Sequence, residues 1–402
     1  MRVLIADKLA AHVAESLEAA GCAVTTDPAL SDSALSDALA RVDPQVLVVR
    51  STKVRAEQLS AAASLSLVIR AGAGTNTIDV ATASGRGVYV SNCPGKNAIA
   101  VAELTFGHLL NLDRRIADNV HDLRQGRWAK KAYGKARGVH GRTLALLGCG
   151  QIGQEVIARA HAFGLSVRAW SRSLTPERAA ALGVVHAVTP LDACRGADVL
   201  SVHLALTDDT RGMVDRSLLE ALAPGAFVIN TSRGEVVDQD ALELAIETRG
   251  IRAGLDVFAE EPGAGDDRFP FAIGSNPAVY GTHHIGASTQ QATDAVGDEV
   301  VRIVTTYLRQ GAVLNCVNLS EDTTATHLLV VRHVDAVGVL AGVLEHLRAD
   351  GVNVQEMDNQ IFKGGGAACA RIHLSGAPSA AGLARIDASA QVFATSLVSL
   401  ES

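Results

Sequence analysis

The chain has 402 residues, 48% apolar and 20% charged, with a formal net charge of −7. That length predicts two or three compact units, and the net acidity argues against a nucleic-acid partner or an anionic membrane surface. Six scattered cysteines (Cys22, Cys93, Cys149, Cys194, Cys316, Cys369) include no CxxC pair, which argues against a disulfide framework and against a metal site.

After Met1-Arg2 the apolar run stops at Asp7, too short for a secretory leader, and no apolar stretch is long enough to span a bilayer. The expectation is a soluble, cytoplasmic protein. Residues 2–7 read as a strand, 8–20 as a helix and 22–26 as a second strand. Apolar runs at 46–50, 67–71 and 88–92 follow, each separated by a segment that suits a helix or turn. That spacing predicts parallel strands with crossover helices. A long helical pattern over 97–116 leads into a second series with strands at 143–148, 165–170, 198–204, 226–230 and 253–258. The polar stretch 318–326 suits a linker. Beyond it come a strand, a helix (337–349), two strands, a short helix (380–386) and a last strand, the order of a small βαββαβ module. The expected fold class is α/β, with two doubly wound Rossmann-like domains before that α+β module. The first, flavodoxin-like, would hold residues 1–96 and 288–317, the dinucleotide domain 97–287, and the module 326–402.

Gly148-Cys149-Gly150-Gln151-Ile152-Gly153 follows an apolar strand and opens a helical pattern carried by Ile152, Val156, Ile157 and Ala160. In that context the glycines permit a tight turn and close approach of backbone to a pyrophosphate on the helix N-terminus. A carboxylate normally closes the next strand and accepts the ribose hydroxyls of NAD. Here the strand is followed by Ser171, Arg172 and Ser173, and the next acid is Glu177. Arg172 and Ser171 suit a 2′-phosphate, so NADP(H) is expected to serve at least as well as NAD(H). The competing reading makes Arg172 a solvated arginine beside a permissive NAD site.

Three further segments lie at or just after strand ends, where open α/β sheets place ligands. They are 229–238 with Thr231, Ser232 and Arg233, 255–262 with Asp256 and Glu261, and 281–289 with His283 and His284. Oxidation of a 2-hydroxy acid requires such a set. A base takes the hydroxyl proton, a cation holds the carboxylate, and an acid orients the base and raises its pKa.

Together these segments resemble the D-2-hydroxyacid dehydrogenase family, and most closely its D-3-phosphoglycerate dehydrogenase branch. The resemblance implies that Arg233 binds substrate, Glu261 partners the catalytic histidine, and Asp256 lies near the nicotinamide. The family pattern Thr-Pro-His-Ile/Leu-Gly/Ala puts His284 in the catalytic position and His283 where proline usually stands, which predicts a less stiff loop. His203 matches a cofactor-side histidine, with Thr231 and Ser232 also on that side. Arg50, Ser51, Lys53, Arg70, Ala73, Gly74 and Asn97 match stretches that hold the substrate's carboxylate and phosphate ends. The basic residues of 124–137 suit either a phosphate, across a dimer contact, or a solvated face. The C-terminal module resembles an ACT domain, which implies an amino-acid effector such as L-serine held between two modules, at the loop with His333 and Asp335 and near Asn353. The alternative there is a dimerisation module.

The leading expectation is oxidation of 3-phospho-D-glycerate to 3-phosphohydroxypyruvate with NAD(H) or NADP(H), without a metal, in L-serine biosynthesis, by a homodimer or homotetramer. The alternatives are reduction of hydroxypyruvate, glyoxylate or 2-oxoglutarate, or a non-catalytic cofactor-sensing regulator.

Overall fold

The computed structural model describes residues 1–262, 268–320 and 323–400. Contacts divide them into two compact units, Met1–Asn318 and Leu319–Ser402.

The first unit contains two parallel sheets. In the first are β1 (Arg2–Ile5), β2 (Ala23–Thr26), β3 (Val46–Val49), β4 (Leu67–Arg70) and β5 (Tyr89–Asn92), in the order β2-β1-β3-β4-β5. All four residues of β3 are buried, as expected for a central strand covered on both faces. One cover is the helix Gln290–Gln310, which returns from far down the chain and packs Val300, Ile303 and Val304 with Val3, Ile5 and Leu17. Thr289 caps it by accepting the Ala292 N–H, and Gly311 ends it with a left-handed φ of 70°.

In the second sheet are β6 (Thr143–Leu147), β7 (Ser166–Trp170), β8 (Val185–His186), β9 (Val199–Val202), β10 (Phe227–Asn230), β11 (Arg252–Leu255) and β12 (Val279–Gly281). Its order is β12-β11-β10-β9-β6-β7-β8, with every pair parallel. The strand order reverses between β6 and β9, the switch point at which such sheets bind dinucleotides. The helix Ala98–Arg114 covers this sheet with Ala102, Phe106, Leu109 and Leu112. Asp113 near its end forms a buried 2.8 Å ion pair with Arg142, just before β6.

Sequence alone divides these residues into two domains, whereas by contacts they form one unit. The helices Ala98–Arg114 and Gln290–Gln310, each committed to a different sheet, touch one another. The buried Glu299 of the second helix adds a link to the segment leading into the first: it accepts from Arg302 at 2.5 Å and from Asn315 at 2.7 Å, and pairs with Lys96 at 3.1 Å.

The second unit is an antiparallel sheet of β13 (His327–Val334), β14 (Val354–Ile361), β15 (Ala367–Leu374) and β16 (Val392–Ser399), ordered β14-β15-β13-β16. Leu329, Val331, Ala370 and Ile372 form its core with Val343 and Leu347 of one helix and Ile386 of the other. The βαββαβ order is as expected, but β14 runs four residues beyond Met357, where the strand pattern 352–357 of the sequence ends. Asp358-Asn359-Gln360 is poor strand material, and only its pairing with β15 extends it. No helix among the described residues is long and apolar enough to cross a membrane.

Candidate active site

The glycine loop sits between β6 and the helix Gln151–Ala162. A Cβ on Gly148 would fall 2.3 Å from the His203 carbonyl oxygen, and one on Gly153 would fall 2.1 Å from the Gly148 oxygen. These two glycines are therefore required for packing. At Gly150, the N-cap of that helix, a Cβ would meet open space, so bare backbone faces the cleft at the positive end of the helix. That cradle fits a dinucleotide pyrophosphate. Gln151 reaches from the same turn to Gly95, where a Cβ would fall 1.7 Å from its side-chain oxygen.

His203 follows β9 on the other side of the switch point. Its Nε2 lies 2.7 Å from Ser201 Oγ, its Nδ1 is buried without a partner, and burial pushes its pKa down to about 4. The imidazole is thus neutral, and it is the His203 carbonyl that lies against Gly148. Beyond β7, Ser171 is half-buried and Arg172 exposed. Glu177 is occupied at the start of its own helix, bonded to Thr175, so no acid closes the strand.

His284 and Glu261 meet: His284 Nδ1 is 2.8 Å from Glu261 Oε2, and Phe258 N–H donates to the other carboxylate oxygen. The Glu261 hydrogen bond raises the His284 pKa above the usual imidazole value against the opposing effects of burial and of Arg233. For Glu261, burial pushes upward, but the bond and charge of His284 outweigh it and the pKa is lowered. The charge of Arg233 acts on both groups, opposing protonation of His284 and helping to lower Glu261. With Nδ1 engaged, Nε2 is the nitrogen left for substrate. His283 is exposed.

Asp256, buried at the end of β11, holds the histidine loop. Its carboxylate accepts from Thr282 Oγ1 at 2.6 Å, Ile285 N–H at 2.8 Å and Gly286 N–H at 2.7 Å, and its carbonyl accepts the His284 N–H at 2.8 Å. His284 itself has a left-handed φ of 53°, a conformation that costs about 1–2 kcal/mol for a residue with a Cβ. The sequence placed Asp256 near the nicotinamide but did not reveal this role. The loop that lacks proline is restrained by hydrogen bonds instead.

Arg233 leaves the end of β10, where Asn230 ties the turn: its Nδ2–H donates to the Arg233 carbonyl and its Oδ1 accepts both the N–H and hydroxyl of Ser232. The Ser232 hydroxyl is thus turned inward. Thr231, also buried, pairs with Thr105 at 3.1 Å. On the opposite wall, Arg70 folds back over Gly72, where a Cβ would fall 1.8 Å from its Nη1, and a Cβ on Gly74 would fall 2.8 Å from Arg233 Nη2. Burial, then repulsion from Arg233 and Arg50, lowers the Arg70 pKa. The charges of Arg70, Arg233 and Arg50 thus act on one another, and among the described residues none of the three is in an ion pair. The Ala73 and Gly74 N–H groups make no hydrogen bond within the described chain. Asn97 Oδ1 is likewise buried and unpartnered.

Ser51 and Lys53 are exposed. Asp7, unnoticed in the sequence, occupies the turn before them: one of its oxygens accepts the N–H groups of Arg50, Ser51 and Thr52 at 2.6, 3.1 and 3.0 Å. An acid two residues past β1 is the signal that could have exposed it.

The effector candidates lie at two separate places within one copy of the last unit. His333 is buried, with Nδ1 2.8 Å from the Val334 carbonyl and Nε2 3.1 Å from Asn359 Oδ1. Both ring nitrogens are already engaged. Asp335 is exposed just past β13, whereas Asn353 precedes the opposite end of β14, whose Val354 pairs with Leu374. Level with opposite ends of β15, the two lie about 30 Å apart along the sheet at strand spacing.

Residues 106–302 match the family model for the NAD binding domain of D-isomer specific 2-hydroxyacid dehydrogenases. The chain is 38% identical over 348 residues to D-3-phosphoglycerate dehydrogenase of Mycobacterium tuberculosis, covering 85% of this chain and 63% of that one. It therefore spans less than two thirds of the length of that relative. It is 39% identical over 269 residues to hydroxypyruvate reductase of Thermotoga maritima, covering 66% of this chain and 86% of that enzyme. Among solved structures, an NADPH-dependent glyoxylate/hydroxypyruvate reductase from Sinorhizobium meliloti, in complex with NADP and malonate, superposes with a TM-score of 0.68 at 31% identity, over 79% of this chain and 96% of that one. The chain belongs to the D-isomer specific 2-hydroxyacid dehydrogenase family.

Proposed function

We propose that the protein oxidises 3-phospho-D-glycerate to 3-phosphohydroxypyruvate, the entry step of L-serine biosynthesis, with a nicotinamide dinucleotide. The observation that carries this reading is the position of Arg233, whose Nη2 would lie 2.8 Å from a Cβ on Gly74 in the stretch that follows Arg70, and whose charge acts on His284, Glu261 and Arg70. A monoanionic hydroxy acid needs one of those cations. Three suit a substrate with a carboxylate and a phosphate.

Bound nicotinamide dinucleotide supplies the hydride acceptor. Arg233 grips the substrate carboxylate and polarises the C2 oxygen. His284 Nε2 takes the C2 hydroxyl proton in oxidation and returns it in reduction. Glu261 fixes the ring through Nδ1 and stabilises the imidazolium. Arg70 and Arg50 hold the phosphate, and the free Ala73 and Gly74 N–H groups complete the anion site.

A second reading is favoured by the bare end of β7. With Arg172 exposed and no carboxylate present, the site admits NADP(H), which suits reduction of hydroxypyruvate, glyoxylate or 2-oxoglutarate. A panel of 2-oxo acids assayed with NADH and NADPH separates the two. We expect kcat/KM for 3-phosphohydroxypyruvate to exceed that for glyoxylate at least about tenfold, since loss of a charged contact costs roughly 1.5–3 kcal/mol. Arg172→Ala should selectively raise KM for NADPH. Equal or better turnover of glyoxylate overturns the phosphorylated substrate in favour of the reductase reading.

A further inference from the structure

The helix Ala98–Arg114 carries a histidine that the chemistry above does not use. His108 is buried, packed so closely on β11 that a Cβ on Gly254 would fall 2.8 Å from its own Cβ. Its Nε2 lies 3.1 Å from Thr282 Oγ1, and that hydroxyl lies 2.6 Å from Asp256 Oδ1.

The directions of these bonds follow from proton counting. The Asp256 carboxylate already accepts the Ile285 and Gly286 N–H groups, so it acts as acceptor toward Thr282 as well. A hydroxyl has one proton, and Thr282 gives it to Asp256. His108 must therefore donate, which fixes its ring as the Nε2–H tautomer. Burial lowers its pKa, consistent with a neutral ring whose single proton is committed to Thr282. The chain runs one way: His108 to Thr282, Thr282 to Asp256, with Asp256 bonded to residues 284, 285 and 286. Residues 281–286 contain no proline, so these bonds, and not a ring in the backbone, restrain the segment in which His284 adopts its left-handed φ.

We propose that His108 is a positioning residue, acting through Thr282 and Asp256 to hold the loop that presents His284 to Glu261 and substrate. The inference rests on the assignment of His284 as acid and base. It does not rest on which 2-oxo acid is turned over.

The test compares His108→Leu, His108→Gln and Thr282→Val with the full-length wild type, using far-UV circular dichroism to verify folding. Kinetics with the best 2-oxo acid should show kcat reduced about tenfold or more in His108→Leu, with the NADH dissociation constant, read by fluorescence, within about twofold of wild type. His108→Gln retains a terminal N–H donor and should recover most of kcat. Thr282→Val should match His108→Leu, and combining the two should cost no more than either alone, since they cut one chain. A folded His108→Leu with wild-type kcat, no rescue by Gln, or losses that multiply would each overturn the proposal. A wild type inactive on every 2-oxo acid would instead defeat the functional reading, and a separate measurement then decides the relay. In ¹⁵N-labelled wild type, His108 should show the Nε2–H tautomer, and Thr282→Val should move the Ile285 and Gly286 amide signals. An Nδ1–H tautomer or unmoved amides overturns it.

Discussion

At the scale of single residues, adjacent histidines have opposite fates. His284 is bonded to Glu261 and its pKa is raised, chiefly by that hydrogen bond. Reduction needs the proton on His284, so its rate should hold below the raised pKa and fall as pH rises through it, while oxidation rises over the same range. Glu261→Gln removes the main cause, so both limbs should move to lower pH, and reduction at neutral pH should slow about 10- to 100-fold. Profiles of kcat/KM in both directions measure this, and unmoved limbs would detach Glu261 from the histidine. His284→Ala should cost about 10²- to 10⁴-fold in kcat, whereas His283→Ala should remain within about threefold. The sequence separates the two through the family pattern Thr-Pro-His-Ile/Leu-Gly/Ala, in which His283 takes the proline position. It did not show how the loop is held, since the Asp256 and Thr282 contacts join residues whose pairing arises only when β11 and β12 lie side by side.

Secondary-structure elements were legible in proportion to their apolar contrast. Buried strands such as β3 and β6 stand out as β-branched or leucine-rich runs, and the glycine loop between β6 and its helix reads directly. Short strands such as β8, with two residues, and β12, with three, lack enough length for a pattern. The polar end of β14 reads as loop. Nor does the sequence expose Glu299 in the helix Gln290–Gln310, where an acid among apolar residues looks like an ordinary helix-surface charge. Its bonds to Arg302, Asn315 and Lys96 hold its pKa at about 2, against the upward push of burial. A carboxyl lowered on folding stabilises the protein above its ordinary range and loses that contribution as pH falls toward the folded value. Glu299→Gln should therefore lower stability at neutral pH by on the order of 2 kcal/mol and flatten the loss of stability between about pH 5 and pH 2. Denaturant midpoints across that range check it; an unchanged acid slope would leave the cluster without thermodynamic weight.

At the scale of the whole molecule, the unit Leu319–Ser402 has its own core, and the candidate catalytic residues all lie in Met1–Asn318. A chain ending at Asn318 should fold and retain turnover within a few-fold of full length, while any response to millimolar L-serine should vanish. Loss of turnover on truncation, measured by initial rates with folding verified by circular dichroism, would assign the last unit a part in assembling the site. That unit's order was readable, whereas the placing of its effector candidates at opposite ends of one sheet follows only from the strand register.

The path of the backbone between the two parallel sheets has a mechanical consequence. Among the described residues it passes from one to the other at 93–97 and returns at 282–289. The outward strap ends in Asn97 and the inward strap carries His284. Any pivoting of one lobe on the other must twist these two straps, so the act that shuts out water also aims the proton donor. Turnover limited by that pivot would slow in proportion to solvent viscosity, whereas turnover limited by bond-making would not.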